Sequence, residues 1–275
     1  MAAPRVQASP WAAPRQRAET LRERHEFVAD VLTLYLALLE VWEESWSAAR
    51  AEQPEDLAGW AARRVLPGVL AATADAGPDA LKDAFGTLNV PKASFRALLA
   101  AYLAGEELVP VERYLARATL RGPLEAVDAG VACAADPAPR GDRRCPRCGG
   151  PPQLSFRSDT GDHLVSGHRQ LLCARCGDSW SFSSSACAYC GEAARRTVYT
   201  EQRDGPQVGR EESSGLTFPH LRVEACASCQ RYLIDVDLGR DPRAVPEVDE
   251  LAALPLDLYA AEQGFSKITP NVMGV

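Results

Sequence analysis

Four short stretches in the second half of the chain decide the fold: Cys145-Pro-Arg-Cys148, Cys173-Ala-Arg-Cys176, Cys187-Ala-Tyr-Cys190 and Cys226-Ala-Ser-Cys229. Two residues between cysteines allow one tight turn to present both sulfurs to a single metal ion. Eight of the nine cysteines of this 275-residue chain lie in such pairs. This spacing predicts metal binding rather than a framework of disulfides.

Each turn supplies only half of a tetrahedral site, so the pairs must combine. Adjacent pairing predicts a first site made of Cys145, Cys148, Cys173 and Cys176. It predicts a second site made of Cys187, Cys190, Cys226 and Cys229. Crossed pairing of the same cysteines is the alternative. Sulfur-only sites accept iron or zinc, so we expect two metal ions of either kind.

The residue after each pair supports this interpretation. Gly149, Gly177 and Gly191 follow the second cysteine of three pairs, where the turn tends to need a positive φ, and Gln230 follows the fourth. Sites closed by four cysteines leave no open coordination position for activated water. We therefore expect no catalytic residues, no small-molecule substrate and no enzymatic activity.

The first half of the chain has helical periodicity. One apolar stripe recurs every three or four residues, at Phe27, Val31, Tyr35, Leu38, Trp42 and Trp46. The sequence predicts an α+β protein in which an N-terminal helical bundle precedes two rubredoxin-like (zinc-ribbon-like) metal-binding domains and a C-terminal helical tail. The expected segments are a disordered arm (1–17), the bundle (18–121), a linker (122–142), the first ribbon (143–185), the second ribbon (186–236) and the tail (237–275).

The charge and hydropathy of the chain indicate which classes of partner to expect. The formal net charge of −7 disfavours nucleic acid as a partner. Four arginines surround the first cysteine turn, and we interpret them as compensation for its negative charge: Arg140, Arg143, Arg144 and Arg147. The richest apolar stretch, Val31 to Leu39, is too short to span a membrane. Since no secretory signal is recognisable, we expect a cytoplasmic protein.

The remaining candidate ligands have simpler interpretations. Cys133 has no partner at ligand spacing and is interpreted as a buried or incidental thiol. His163, His168 and His220 are expected to be exposed loop residues, because eight cysteines already complete both sites.

The order of these features resembles the family of the formate dehydrogenase accessory protein FdhE. The matching stretches are Cys145-Pro-Arg-Cys148-Gly-Gly-Pro-Pro, Leu172 to Cys176 with Trp180, Cys187-Ala-Tyr-Cys190, Glu224 to Cys229 with Tyr232, and the tail beginning Val248-Asp-Glu-Leu251. The resemblance implies a cytoplasmic, non-enzymatic factor that contacts the catalytic subunit of formate dehydrogenase and is needed for its activity. It also implies that the eight paired cysteines are metal ligands.

Three positions depart from the pattern of the family. Ser183-Ser-Ser185 stands where an arginine is frequent, Ile234 where a lysine is frequent, and Thr269 where an asparagine is frequent. These differences leave the cysteine pairs intact and bear on the surface that a partner would contact. Two other functions compete with the accessory role: electron transfer by iron, as in rubredoxin, and nucleic-acid binding by a zinc ribbon.

Overall fold

Helices form the first half of the chain. The computed structural model describes residues 10–86, 94–132, 141–158, 167–201 and 217–274. The helices before the first cysteine turn are α1 (Ala12–Arg24), α2 (Ala29–Glu52), α3 (Leu57–Arg64), α4 (Leu66–Ala76), α5 (Asp79–Gly86), α6 (Phe95–Ala104), α7 (Pro110–Ala126) and α8 (Ala129–Ala132). None of the described helices combines the length and the apolar character that crossing a membrane would require.

Helix α2 lies at the centre of the bundle and packs against α1, α4 and α7. The predicted stripe is confirmed at Tyr35, Leu38 and Trp42, which are buried. Trp42 also donates a hydrogen bond from its indole nitrogen to the carbonyl of Ala118 in α7 (2.7 Å). The prediction is wrong for Phe27, which is 47% exposed. This residue lies in a 3-10 turn, Glu26–Val28, ahead of α2, so the helical period does not extend to it.

Helix α1 begins six residues before the point that periodicity indicated. Trp11, just before the helix, is buried, and the Arg121 guanidinium lies over its ring at 5.3 Å from the centroid. Arg17 is buried on the same helix. A buried arginine among few apolar residues gives no regular hydrophobic stripe, and this explains why the pattern did not reveal the helix start.

Helix α7 continues past residue 121, into the segment that we expected to be a linker, and contains both Gly122 and Pro123. A Cβ atom on Gly122 would lie 2.6 Å from the backbone oxygen of Trp42. Glycine is therefore required here because α7 and α2 approach each other closely. The Gly-Pro pair, which usually signals a turn, marks close helix packing in this protein.

The cysteine-rich half forms a single sheet. Its strands are β1 (Pro152–Arg157), β2 (Arg169–Cys173), β3 (Ser179–Ser181), β4 (Arg196–Thr200), β5 (Leu221–Cys226), β6 (Arg231–Asp237) and β7 (Ser266–Lys267). The order is β3-β2-β1-β6-β5-β4, and β7 also pairs with β6. Strands β1 to β3 follow the first cysteine turn, whereas β4 to β6 belong to the second group of turns.

The two ribbons are joined by a parallel pairing between β1 and β6. Ser155 lies opposite Asp235 and Arg157 opposite Asp237. Within each ribbon the strands are antiparallel. One hydrogen-bonded sheet therefore carries both groups of cysteines, and the relative position of the two groups is fixed by backbone hydrogen bonds.

The tail packs back on the helical bundle. It contains α9 (Pro246–Leu251) and α10 (Leu254–Glu262). Asp249 of α9 is fully buried and accepts hydrogen bonds from Arg17 (3.0 Å, Nε to Oδ2) and from the ring of His220 (2.8 Å). A buried carboxylate needs such partners, because burial of an unpaired charge is very costly. Arg17 therefore ties the first helix to the tail.

Replacing Arg17 should be strongly destabilising. Arg17→Gln removes the guanidinium that pairs with the buried Asp249, and we expect a loss of about 3 kcal/mol in the free energy of unfolding. Arg15→Gln is the matched control, because Arg15 is partly exposed and its nearest pairs, with Glu40 and Glu43, measure 3.7 and 3.4 Å. That variant should lose less than about 1 kcal/mol. Denaturant unfolding measures both, and equal losses would contradict this role of Arg17.

Candidate metal centres

The first group of cysteines forms a compact cluster of four sulfurs. The Sγ atoms of Cys145 and Cys176 are 3.7 Å apart, and those of Cys148 and Cys173 are 3.4 Å apart. All four ligand atoms lie within 4.8 Å of one another, and all four residues are buried. Adjacent cysteine pairs therefore come together here, as the sequence predicted, and the crossed arrangement is not formed.

The second group has the same construction but lies nearer to solvent. Cys187 and Cys229 have Sγ atoms 3.8 Å apart, and Cys190 and Cys226 have Sγ atoms 3.7 Å apart. Cys187 and Cys226 are buried, whereas Cys190 and Cys229 are partly exposed. The two groups thus share a donor set and differ in their access to solvent.

The spacing of the sulfurs fits one metal ion in each group. A tetrahedral ion with metal–sulfur bonds of about 2.3 Å places its ligands about 3.8 Å from one another. The observed sulfur–sulfur separations of 3.4 to 3.8 Å match that distance. Four thiol sulfurs and no nitrogen or oxygen ligand form a set that zinc and iron both accept.

The first three turns are each closed by a hydrogen bond from the backbone N–H of the glycine to the carbonyl of the first cysteine. In the first turn the N–H of Gly149 donates to the carbonyl of Cys145 (2.9 Å), and the N–H of Gly150 points at the sulfur of Cys148 (3.4 Å). Gly149, Gly177 and Gly191 have φ values of 73°, 69° and 83°, so the expected left-handed position is present. Gln230 adopts the same conformation with φ 55° in the fourth turn. The residue that follows the second cysteine therefore has a positive φ in all four turns, although it is glycine in only three of them.

Four thiols this close together have strongly altered proton affinities. Hydrogen bonding to Cys145 raises the pKa of Cys148, and burial raises the pKa of Cys173. Hydrogen bonds from its three neighbours lower the pKa of Cys176. A thiolate is therefore stabilised in the cluster only while other members keep their protons. A metal ion must displace those protons, so the affinity for metal falls as the pH falls.

Arginines connect the first centre to the helical bundle. Arg175, inside the second turn, donates to the carbonyl of Leu103 at the end of α6 (3.2 Å). Arg121 of α7 donates to the carbonyl of Cys176 (3.3 Å). Arg147, inside the first turn, donates to the carbonyls of Leu124, Glu125 and Val127 at the C-terminal end of α7. The first centre and the bundle are thus one packed unit.

The arginines near the first turn have individual roles that their number alone did not reveal. Arg147 satisfies carbonyl groups that a helix end leaves without partners. Arg143 donates to the carbonyl of Tyr189 (2.5 Å) in the third turn, and Arg144 is exposed. Arg140 lies outside the described residues. Two of the four therefore make structural contacts, which adds to their interpretation as charge compensation.

The histidine predictions have mixed outcomes. His168 is exposed, as expected. The prediction is wrong for His220, which is 4% exposed and bonded to Asp249 in the contact between the sheet and the tail. A single polar residue between two apolar ones gave no signal of this burial. His163 and Cys133 lie outside the described residues.

A buried ion-pair network on the sheet was not predicted. Glu224 pairs with Arg157, Arg169 and Arg196. Asp235 pairs with Arg157 and Arg222. The signal available in the sequence was the alternation of charged and apolar residues in β5 and β6, which usually indicates a solvent-exposed face. Here opposite charges on neighbouring strands neutralise one another within the protein.

The fold and the two clusters define a class of protein with a helical bundle, a shared sheet and two four-cysteine centres. Residues 185–273 match the family model described as FdhE, C-terminal domain. A protein FdhE homolog from Aquifex aeolicus (strain VF5) is 34% identical over 130 residues, which cover 47% of this chain and 41% of that protein. A homolog from Pseudomonas aeruginosa is 32% identical over 129 residues, covering 47% and 38%. These alignments span about two fifths of the length of the relatives.

The structural likeness extends further than the sequence match. The crystal structure of the FdhE protein from Pseudomonas aeruginosa covers 96% of this chain with a TM-score of 0.65 at 23% identity, and 95% of that chain is covered in turn. The helical bundle therefore shares its fold with that structure as well. The resemblance to the FdhE family is confirmed: residues 185–273 match the model of the FdhE C-terminal domain, and the fold matches that of an FdhE structure.

The number of metal ions bound per chain should equal the number of intact cysteine clusters. The protein purified without oxygen is expected to carry two metal ions per chain, measured by elemental mass spectrometry against amino-acid analysis. Cys173→Ser and Cys226→Ser should each remove one ion, and the double variant should remove both, because three thiols and a hydroxyl bind a soft metal less well. Cys133→Ser is the control and should retain both. One ion per chain in the unaltered protein would contradict the two-centre arrangement.

Two glycine variants separate backbone strain from steric crowding at the turns. No heavy atom lies within 4 Å of a Cβ added to Gly191, so Gly191→Ala should cost only the strain of its positive φ, about 1 kcal/mol. A Cβ on Gly177 would lie 2.4 Å from the guanidinium of Arg121, which Glu125 and Glu247 hold in place. Gly177→Ala should therefore cost clearly more, about 2 kcal/mol or above. Unfolding of the metal-loaded variants in denaturant tests this order, and equal costs would contradict it.

Proposed function

We propose that this protein is an accessory factor that binds the catalytic subunit of formate dehydrogenase and is needed for the activity of that enzyme. The observation that carries the proposal is the pair of four-cysteine clusters within a fold shared, over nearly the whole chain, with an FdhE structure. The resemblance to the FdhE family supports formate dehydrogenase as the partner.

The metal centres favour binding over catalysis. In each cluster four cysteine sulfurs would surround one iron or zinc ion, with Cys145, Cys148, Cys173 and Cys176 around the first and Cys187, Cys190, Cys226 and Cys229 around the second. Zinc supplies structural cross-links of this kind, and iron adds one-electron chemistry. No position is left for a substrate or an activated water, so we assign the protein no catalytic residues and no small-molecule substrate.

The cytoplasm is the compartment that suits these sites. Thiols persist as metal ligands in a reducing environment, whereas an oxidising one favours disulfides. The eight clustered cysteines carry free thiols in the structure.

Electron transfer is the second candidate, and the exposure of the second cluster favours it. Cys190 and Cys229 are partly exposed, so a reduced partner would come close to an iron ion held there. A red colour that dithionite bleaches reversibly would support this function. Zinc in both centres would eliminate it, because zinc has no redox chemistry.

Co-purification tests the leading proposal. Tagged protein captured without oxygen from cells that express formate dehydrogenase should retain its catalytic subunit, identified by mass spectrometry. The Cys173→Ser and Cys226→Ser double variant should lose this association, whereas Cys133→Ser should keep it. Deletion of the protein should abolish formate dehydrogenase activity. Absence of the subunit from the captured material, together with unchanged activity after deletion, would reject the accessory role.

A further inference from the structure

A broad groove runs between the helical bundle, both metal centres and the tail. Its volume is about 760 Å³, which is within the range of known ligand sites. The loop between α6 and α7 forms one wall, and α10 with the segment around β7 forms another. Residues of all four cysteine turns, or directly beside them, complete the surface.

Cationic side chains outnumber carboxylates in the groove, although the protein as a whole is acidic: six cationic side chains line it, against the carboxylates of Glu106, Glu107 and Asp257. Five arginines face it: Arg113, Arg117, Arg144, Arg175 and Arg231. Within the described part of the chain, none of these five forms an ion pair with a carboxylate. The arginines of the sheet network differ, because each of them is paired with Glu224 or Asp235. Lys267 also lines the groove, but Glu250 and Asp257 neutralise it.

Neutral groups hold three of these arginines, Arg117, Arg175 and Arg231, in position without cancelling their charge. The Arg175 guanidinium lies over the ring of Tyr102 at 5.3 Å, and that of Arg231 lies over the ring of Tyr189 at the same distance. Arg117 donates to the carbonyl of Pro270 (2.6 Å) and to the side chain of Gln153 (2.5 Å). Burial lowers the pKa of Arg117, and the charge of Glu250 offsets this effect only in part.

A charged or aromatic side chain from each cysteine turn, or from a position beside it, lies on this surface. Arg144 precedes Cys145 directly, Arg175 lies between Cys173 and Cys176, Tyr189 lies between Cys187 and Cys190, and Arg231 follows Cys229 by two positions. A metal ion that fixes the four sulfurs of a cluster also fixes the turns that carry these side chains. The groove therefore depends on both centres.

We propose that this groove binds an acidic peptide segment of the protein partner, and that the two metal centres hold its walls in place. The inference rests on the proposed accessory function and names the surface that would perform it. Arginines in fixed positions recognise carboxylates through charge-assisted hydrogen bonds. The positions are distributed over separate segments of the chain, and apolar side chains such as Leu108, Leu258 and Phe265 stand among them. A peptide with mixed acidic and apolar side chains matches this pattern better than a compact phosphate group.

Peptide arrays test the ligand class with the metal-loaded, full-length protein. Octapeptides with zero, two, four or six acidic residues among apolar ones are immobilised, and bound protein is measured by fluorescence. Binding should increase with the number of acidic residues and weaken as sodium chloride is raised. The Arg113→Gln and Arg144→Gln double variant should lower affinity about tenfold or more. Arg64→Gln, which removes an exposed arginine of α3 outside the groove, is the matched control and should bind normally.

Three results would overturn the proposal. The first is peptide binding that does not depend on the number of acidic residues in the peptide. The second is peptide binding that the double variant retains in full. The third is a site for phosphate: inorganic pyrophosphate would then bind more tightly than any peptide and would lose affinity in the double variant. Metal analysis of the double variant should still give two ions per chain, which separates loss of the arginines from loss of the fold.

Co-purification distinguishes this inference from the proposed function. If the unaltered protein captures the formate dehydrogenase subunit and the double variant does so equally well, the accessory role stands and the groove is not its surface. If the unaltered protein captures no subunit, the accessory role fails and the array alone decides whether the groove binds acidic peptides. If the unaltered protein captures the subunit and the double variant does not, the result supports both the accessory role and the groove as its binding surface.

Discussion

The structure depends on the gathering of four thiol groups into a space that excludes water. Sulfurs 3.4 to 3.8 Å apart cannot all carry negative charge unless a cation lies between them. Occupied by a divalent metal ion, each cluster becomes a cross-link between two turns that are distant in the chain. The first cross-link is buried against α6 and α7, and the second lies nearer to solvent on the same sheet. The two clusters therefore fix the positions of the four turns relative to the sheet.

Arginines act in two different ways around this framework. Some satisfy buried charges: Arg17 pairs with Asp249, and Arg157 pairs with both Glu224 and Asp235. Others make contact only with carbonyl groups and aromatic rings, and so keep their charge available, as Arg175 and Arg231 do. The first kind holds the bundle, sheet and tail together. The second kind gives an acidic protein one cationic surface, and that surface lies where both centres meet the bundle.

Features that depend only on residues close together in the chain could be predicted from the sequence. The cysteine turns and the positive φ of Gly149 and Gly191 follow from chemistry within a few residues, so spacing alone predicted them. The parallel pairing of β1 with β6 could not be predicted, because residues about eighty positions apart form it and no periodic pattern specifies such a partner. His220 and Arg17 were missed for a related reason: a buried polar residue is recognisable only through the distant Asp249 that satisfies it.

X-ray absorption at the edge of the bound metal tests the four-sulfur coordination of both centres most directly. In the unaltered protein, the spectrum should require four sulfur neighbours at about 2.3 Å and no nitrogen or oxygen ligand. The same coordination should persist in variants that retain a single cluster, whichever cluster is kept. A mixed coordination shell, or fewer than four sulfurs per ion, would show that the clusters are not closed and would contradict the structural role assigned to them.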